Sequence, residues 1–269
     1  MMRYAFALFV LFSCQDQDDI IYVIPPELDM KIDSTELMVD FIGMTSTYFD
    51  SLDLIDIQAV NPKIRIDLKY STPNNFMGMV LYDTLKVVYL NKEVAERLSN
   101  CQNYLDSIHP GYSLLVFDGV RPWQVQKEMW DALDSIPVLR RGKYVSNPVR
   151  GSVHNYGAAV DLSIVDSAGI QLDMGSGYDD FRTISYPNLE YTFLKTGELT
   201  EIQVENRRLL RRVMRSEQFR NIPSEWWHFN AFSRVTTSRK YQRLINESGD
   251  MDWHKLSYPK KDSNAQLTN

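Results

Sequence analysis

The chain has 269 residues, of which 44% are hydrophobic and 24% are charged, and its formal net charge is −6. This length suits one sizeable domain with extensions, and the composition is that of an ordinary globular protein. The negative charge argues against a nucleic-acid partner, which normally requires a basic surface. No run of eighteen apolar residues occurs, so no membrane-spanning helix is predicted.

The first fourteen residues predict an export signal. A short positive start is followed by an apolar run from Tyr4 to Phe12, which is too short for a permanent membrane anchor. The run ends at Ser13-Cys14, an ending that resembles the bacterial lipoprotein cleavage box. We therefore expect residues 1–14 to be a lipoprotein-type signal peptide, and the protein to be anchored in the bacterial cell envelope by a lipid on Cys14, in the periplasm or on the outer surface. The alternative is an ordinary signal with an incidental Cys14.

Charge then divides the chain into segments. Between Gln15 and Asp56, eleven Asp and Glu residues stand against one Lys. This imbalance predicts an acidic tether and N-terminal extension over residues 15–54. The folded domain is expected over residues 55–250, and residues 251–269 are expected to form a C-terminal tail.

Hydrophobic periodicity predicts the first elements of the domain. The alternation over residues 64–70 predicts a half-buried strand. A helix is expected over residues 91–107, capped by Asn91 and with Cys101 on its apolar stripe. If Cys14 is acylated, Cys101 has no intramolecular disulfide partner and is expected to be a small buried hydrophobic residue. The apolar run over residues 112–117 predicts a buried strand.

The later elements mix helices and strands. Arg121-Pro122 is expected to open a helix, because proline is tolerated in a first turn. Its predicted buried stripe is Val125, Met129 and Leu133. Patterns further along predict a strand over residues 160–165, a helix over 200–219 and an aromatic strand over 226–232. Because helices and strands do not alternate strictly, the prediction is an α+β fold with a mixed or antiparallel sheet and helices packed on it.

Two segments carry the candidate chemistry, one from Ser152 to Asp161 and one from Glu225 to His228. Together they supply two imidazoles, one carboxylate that could join them on a metal, and one spare carboxylate. A catalytic zinc site requires three protein ligands, an open position for water and a base. The combination therefore predicts a zinc hydrolase.

The spacing within the first segment needs a change of chain direction. His154 and Asp161 are seven residues apart and would face opposite ways on one continuous strand. Gly157 allows a turn between them. Glu225 and His228 could point into one cleft if Glu225 stands where the chain enters a strand that carries His228.

Several motifs occur in one order between Ile55 and Phe232: Asp67-Leu-Lys-Tyr70 followed by Asn75-Phe76, Phe117-Asp-Gly-Val-Arg121-Pro122 with Gln126, Ser152-x-His154-x6-Asp161, Met174-Gly-Ser-Gly-Tyr-Asp179, and Glu225-x-Trp-His228. In this order they resemble the VanX-type D-alanyl-D-alanine dipeptidases, which are zinc peptidases of the hedgehog/DD-peptidase fold. Several colinear motifs make a more specific match than one short pattern.

The resemblance implies a role for each matching residue. His154, Asp161 and His228 would hold one zinc ion per subunit, and Glu225 would be the general base. Arg121 would stabilise the negative charge that develops on the scissile carbonyl oxygen.

The resemblance also implies how the substrate is held. Asp179 would receive the free ammonium group of a dipeptide, with the neighbouring Asp180 as an alternative. Ser152 would contact the substrate. Recognition of a terminal charge would exclude longer peptides.

The implied activity is hydrolysis of D-alanyl-D-alanine or a close D-dipeptide in cell-wall peptide metabolism. The expected partner is this small substrate, and no protein partner is evident. One alternative keeps the zinc site but acts on peptidoglycan stems as a D,D-carboxypeptidase or endopeptidase. Another is a non-catalytic, zinc-stabilised binding module, against which the retention of Glu225 and Arg121 argues.

Overall fold

The computed structural model describes residues 48–248 of the chain. The predicted signal peptide, most of the acidic tether and the C-terminal tail lie outside these residues. The strands within the described part are β1 (Leu54–Asp56), β2 (Arg65–Ile66), β3 (Tyr89–Asn91), β4 (Ser113–Asp118), β5 (Ala159–Val165), β6 (Arg220–Asn221) and β7 (His228–Asn230). The helices bounded there are α1 (Ile57–Val60), α2 (Lys92–Ile108), α3 (Trp123–Ala132), α4 (Val138–Arg141), α5 (Glu190–Thr196), α6 (Glu201–Ser216) and α7 (Arg234–Lys240).

A five-stranded sheet lies at the centre of the domain, in the order β2-β4-β5-β7-β6. The pair β2 and β4 is parallel, and the other three pairs are antiparallel. A separate antiparallel ribbon joins β1 to β3. The mixed sheet with helices packed on it confirms the predicted α+β class.

The central strand and the helices over it form the core. Every residue of β5 is buried, which agrees with its position between two other strands. The predicted stripe of α2 is buried throughout, including Cys101. Burial raises the pKa of the Cys101 thiol to about 12, so the side chain stays neutral and packs as a small apolar group.

The helix ends differ from the predictions in detail. Asn91 flanks α2, but its side chain does not cap the helix and instead donates a hydrogen bond to the carbonyl of Tyr156. Pro122 is the N-cap residue of α3 rather than a residue of its first turn, and Leu133 lies just beyond the last turn. The helix predicted over residues 200–219 is α6, and a reciprocal capping box between Thr200 and Gln203 fixes its start.

The strand predicted over residues 64–70 is shorter than expected. Only β2 is extended, although the amide of Asp67 still donates to the carbonyl of Val116. The chain then turns into a 3-10 helix, Lys69–Ser71. The carbonyl of Tyr70 accepts from the amides of residues 81 and 82, so the chain that returns after a loop satisfies this carbonyl in place of a strand partner.

The last predicted strand, over residues 226–232, is also shorter, because only β7 is extended. The side-chain amide of Asn221 donates to the carbonyls of Glu225 and His228, both at 2.8 Å. These bonds hold the aromatic residues before β7 in a turn. Both Trp226 and Trp227 are nonetheless buried, as core residues of a strand would be.

The hydrophobic core includes residues near both ends of the described range. Phe49 is buried in the core, on the N-terminal side of the predicted domain start at residue 55. At the other end Leu244 is buried, and its backbone bonds with Trp123 and Asn155. Within residues 48–248, no helix is both long and apolar enough to cross a membrane.

Candidate active site

Three side chains converge at the end of the central strands. His154 Nε2 lies 3.1 Å from His228 Nδ1 and 3.3 Å from Asp161 Oδ1. His228 Nδ1 lies 3.0 Å from the same carboxylate oxygen. All three side chains are nearly inaccessible to solvent. The three atoms are therefore close enough to bind one ion together.

The sheet register brings two of these residues together. Asp161 on β5 is the antiparallel partner of His228 on β7, so their side chains stand opposite each other on one face. His154 comes from the 3-10 helix Val153–Tyr156, which precedes β5. Gly157 ends this helix with φ of 63°, in the left-handed region that glycine adopts without steric cost. The turn expected between His154 and Asp161 is therefore present.

In each imidazole, the ring nitrogen that lies outside the three-atom cluster forms a hydrogen bond of its own. His154 Nδ1 lies 2.7 Å from the carbonyl oxygen of Gly119, which can only accept, so this nitrogen carries the proton. His228 Nε2 lies 3.0 Å from the side-chain oxygen of Asn230 and donates in the same way. The two nitrogens that face each other across 3.1 Å then both carry lone pairs. This donor set fits a bound metal cation, and the remote hydrogen bonds are the usual support of metal-binding histidines.

Glu225 stands beside these three candidate metal ligands without belonging to their close cluster. Its Oε2 atom lies 3.9 Å from His228 Nδ1. Burial raises the pKa of this carboxyl group above its ordinary value, while the nearby His228 opposes the shift. A carboxylate next to a metal position, with a pKa moved towards neutral pH, can accept and return a proton.

Arg121 is held at the same centre by a buried carboxylate. Its Nε and Nη2 atoms donate to Asp118 Oδ2 at 2.9 and 2.6 Å. The hydroxyl of Tyr82 donates to the other oxygen of Asp118 at 2.6 Å, which fixes the carboxylate in turn. Arg121 Nη2 lies 3.6 Å from Asp161 Oδ2, so the fixed positive charge is next to the ligand cluster.

Asp179 occupies another part of the cleft. Its Oδ2 atom accepts from the hydroxyl of Tyr70 at 3.0 Å. Burial, together with the negative charge of Asp161, raises the pKa of the Asp179 carboxyl group well above its usual range. The residue also has φ of 57°, which is uncommon for a residue other than glycine.

The adjacent acid points elsewhere. Asp180 pairs with Arg182, and the hydrogen bond from the guanidinium lowers the pKa of this carboxyl group. Asp179 lines the cleft, whereas Asp180 is not among its lining residues. Ser152 also lines the cleft, and its Oγ atom accepts from the amide of His154 at 3.3 Å.

The cleft thus collects all seven residues to which a site role was assigned from the sequence: Arg121, Ser152, His154, Asp161, Asp179, Glu225 and His228. Sequence reasoning assigned no role to Tyr70 or Tyr178, although both stand in the quoted motifs. The hydroxyl of Tyr178 donates to Asp161 Oδ2 at 3.1 Å. The hydrogen bond between Asn230 and His228 was also missed. It could have been predicted, because a residue two positions after His228 on a strand lies on the same face.

A mixed sheet that gathers two imidazoles and one carboxylate at a point, with a second carboxylate and a fixed arginine beside them, defines a candidate metallohydrolase. Residues 50–247 match the sequence profile of the peptidase family described as D-ala-D-ala dipeptidase. The chain belongs to this family, whose peptidases depend on a metal.

Curated relatives carry the same description. The chain is 30% identical over 180 residues to the D-alanyl-D-alanine dipeptidase of Escherichia coli strain K12, covering 67% of this chain and 85% of that protein. A Synechocystis D-alanyl-D-alanine dipeptidase is 30% identical over 57% of this chain and 73% of its own length. An Enterococcus faecalis D-alanyl-D-alanine dipeptidase is 29% identical over 62% and 85%.

Proposed function

We propose that the protein is a zinc-dependent dipeptidase that hydrolyses D-alanyl-D-alanine, or a close D-dipeptide, to free amino acids. The observation that carries the proposal is the position of Glu225, whose carboxylate lies 3.9 Å from one of three convergent ligand atoms. A structural metal site needs no such carboxylate, because it is closed by its own ligands. The fixed Arg121 at the same centre adds a second group that a binding module does not require.

The residues that would hold the zinc are His154, Asp161 and His228. When bound, zinc supplies a Lewis acid that polarises the scissile carbonyl and makes water a usable nucleophile at neutral pH. Two imidazoles and one carboxylate are a ligand set found in catalytic zinc sites, which keep a position open.

Glu225 is the proposed proton carrier. Its carboxylate takes a proton from the attacking water and delivers it to the nitrogen of the departing amino acid. Burial raises the pKa of Glu225, so the group is better matched to both steps than an exposed glutamate. Arg121 stabilises the developing negative charge on the carbonyl oxygen. Its guanidinium is already oriented by Asp118, so it needs no rearrangement as charge develops.

The cleft also supports a small substrate with a free amine. Its volume is about 150 Å³, below the roughly 300–1,000 Å³ typical of clefts for drug-sized ligands. Asp179 supplies a carboxylate for the ammonium group. Because burial disfavours the charge of Asp179, a cation at this carboxylate offsets an existing cost.

A substrate panel tests the proposal against the peptidoglycan alternatives. Metal-loaded protein is incubated with D-alanyl-D-alanine, L-alanyl-L-alanine, the N-acetylated D-dipeptide and a pentapeptide stem that ends in D-alanyl-D-alanine. We expect release of D-alanine from the free D-dipeptide only. Cleavage of the stem in preference to the dipeptide would identify a carboxypeptidase, and no cleavage of any substrate would leave a binding module.

We also propose that the protein is exported and anchored in the cell envelope by a lipid on Cys14. The support is the sequence of residues 1–14 alone. Cells that express the full chain, grown with labelled palmitate, should yield a labelled protein, and the Cys14→Ser variant should not be labelled. Equal labelling of the two proteins would refute lipidation at Cys14.

A further inference from the structure

The segment that carries Tyr178 and Asp179 has little regular structure of its own. It runs from residue 173 to residue 185, and its one assigned element is the 3-10 helix Thr183–Ser185 at its end. It nonetheless holds Asp179 at φ of 57°, a conformation that costs on the order of 1 kcal/mol or more. Such a backbone persists only when surrounding contacts fix it, so those contacts determine where Asp179 stands.

One side chain of α6 joins the two ends of this segment. Arg207 is almost completely buried, with 1% of its surface exposed. Its Nε atom donates to the carbonyl of Met174 at 2.6 Å, and its Nη1 atom donates to the carbonyl of Ile184 at 2.9 Å. The rigid fork of a guanidinium suits two such bonds. Arg207 therefore ties residues on either side of Tyr178 and Asp179.

The third bond of Arg207 leads towards the segment that carries the proposed base. Arg207 Nη2 donates to Ser176 Oγ at 3.2 Å. The same hydroxyl oxygen accepts from the indole Nε1 of Trp226 at 3.0 Å. Trp226 is buried and directly follows Glu225. Ser176 thus links the segment that carries Asp179 to the segment that carries Glu225.

The positive charge of Arg207 is compensated by Glu190, which does not line the cleft. Glu190 Oε1 lies 3.7 Å from Arg207 Nη1, and the same carboxylate accepts two bonds from Arg211, at 2.7 and 2.6 Å. Neither Arg207 nor Ser176 lines the cleft. A buried charge kept away from the cleft, with three bonds to one segment, holds that segment in place.

We propose that Arg207, acting through Ser176, is a positioning residue that sets Asp179 relative to Glu225 and so determines selectivity for dipeptides with a free amine. This inference rests on the proposed function, because it takes Asp179 to receive the substrate ammonium. A displaced Asp179 would lose its contact with the substrate ammonium while Glu225 and Arg121 stay in place, so the loss would fall mainly on substrate binding and therefore on KM.

The test compares Arg207→Met with Arg211→Met. Both variants remove one of the two arginines that share Glu190, but only Arg207 contacts the segment of Asp179. We expect Arg207→Met to raise the KM for D-alanyl-D-alanine about 10-fold or more, with a much smaller change in kcat. Arg211→Met is expected to keep both constants while lowering the melting temperature. Arg207→Lys should partly restore the low KM, because an ammonium can form some of the three bonds.

Unchanged KM in a folded Arg207→Met protein that melts at a lower temperature would overturn the proposal. If Arg207→Met does not fold, Ser176→Ala decides, since it removes the hydroxyl that joins Arg207, Trp226 and Ser185 and leaves the two carbonyl bonds of Arg207 in place. A raised KM in Ser176→Ala supports the positioning role, and a wild-type KM refutes it.

A second measurement separates this proposal from the proposed function. Amide hydrogen exchange over residues 174–184 should be faster in Arg207→Met than in Arg211→Met. If the wild-type protein hydrolyses no dipeptide, the proposed function fails, and this comparison still decides whether Arg207 holds the segment. Equal exchange in the two variants would overturn the positioning role.

Discussion

At the scale of single residues, neighbouring groups give similar side chains different properties. Asp179 and Asp180 are adjacent, yet burial raises the pKa of the first and the hydrogen bond from Arg182 lowers the pKa of the second. Asp161 is also buried, but the two histidines lower the pKa of its carboxyl group well below the usual range. The sequence left Asp179 and Asp180 as alternatives, because adjacency says nothing about which one is buried.

The raised pKa of Asp179 predicts a pH-dependent cost to stability. A carboxyl group whose pKa is higher in the folded state binds more protons when folded, so stability decreases as pH rises from its ordinary pKa through the folded value. Asp179→Asn should therefore raise the free energy of unfolding by about 1 kcal/mol or more at pH 8, and by less at pH 5. Denaturant unfolding at both pH values measures this difference.

The matched control is Asp180→Asn. Its carboxyl pKa is lowered in the fold, so removing the charge should slightly reduce stability at pH 8. Asp179→Asn should also raise the KM for the dipeptide, whereas Asp180→Asn should not. A lower stability of Asp179→Asn at pH 8 would contradict the assigned cost of burying this charge.

Glu225→Gln separates proton transfer from metal binding. The amide keeps the size of the side chain but cannot take a proton, so turnover should fall by about 100- to 10,000-fold. Bound metal should remain at one ion per chain, measured by elemental analysis. Glu198→Gln, at an exposed position outside the cleft, serves as the control and should keep full activity. Loss of the metal from Glu225→Gln would show that Glu225 is a ligand.

At the scale of elements, the sequence predicted the type of most segments and missed several ends. The stripe of α2 and the burial of β5 followed from periodicity. The alternation over residues 64–70 correctly marked buried side chains, but a turn at Tyr70 buries them as well as a strand does. Periodicity reports burial, whereas the ends of a strand depend on which distant backbone groups are available as partners.

The turn between His154 and β5 depends on one glycine. A Cβ atom added at Gly157 would lie 2.5 Å from Leu54 Cδ2 and 3.0 Å from the backbone nitrogen of Asn91. Together with the positive φ, this predicts that Gly157→Ala lowers the free energy of unfolding by about 1–3 kcal/mol. Metal affinity should also fall, because the turn places His154. Unfolding curves and a zinc competition assay measure the two effects.

Gly142→Ala is the control for that substitution. Gly142 has ordinary helical dihedral angles, and a Cβ atom there would meet nothing within 4 Å. We expect this change to be neutral or slightly stabilising, since alanine restricts the unfolded chain more than glycine does. Equal effects of the two alanine substitutions would refute a special role for the turn at Gly157.

At the scale of the whole molecule, distant parts of the chain support the site. The carboxylate of Glu247 accepts from the amides of Asp83, Thr84 and Leu85, which are more than 160 residues away in sequence. That stretch directly follows Tyr82, whose hydroxyl helps to orient Asp118. The colinear motifs predicted which residues gather at the site. The long-range bonds of Glu247 leave no local pattern in the sequence, so they could not be predicted from it.

The most direct test of the account is a zinc titration of the metal-free protein with D-alanyl-D-alanine present. We expect release of D-alanine to rise with bound zinc and to level off at one ion per chain. The Glu225→Gln variant should bind the same single ion with turnover reduced by about 100-fold or more. A protein that holds one zinc ion at His154, Asp161 and His228 and still releases no D-alanine would contradict the account.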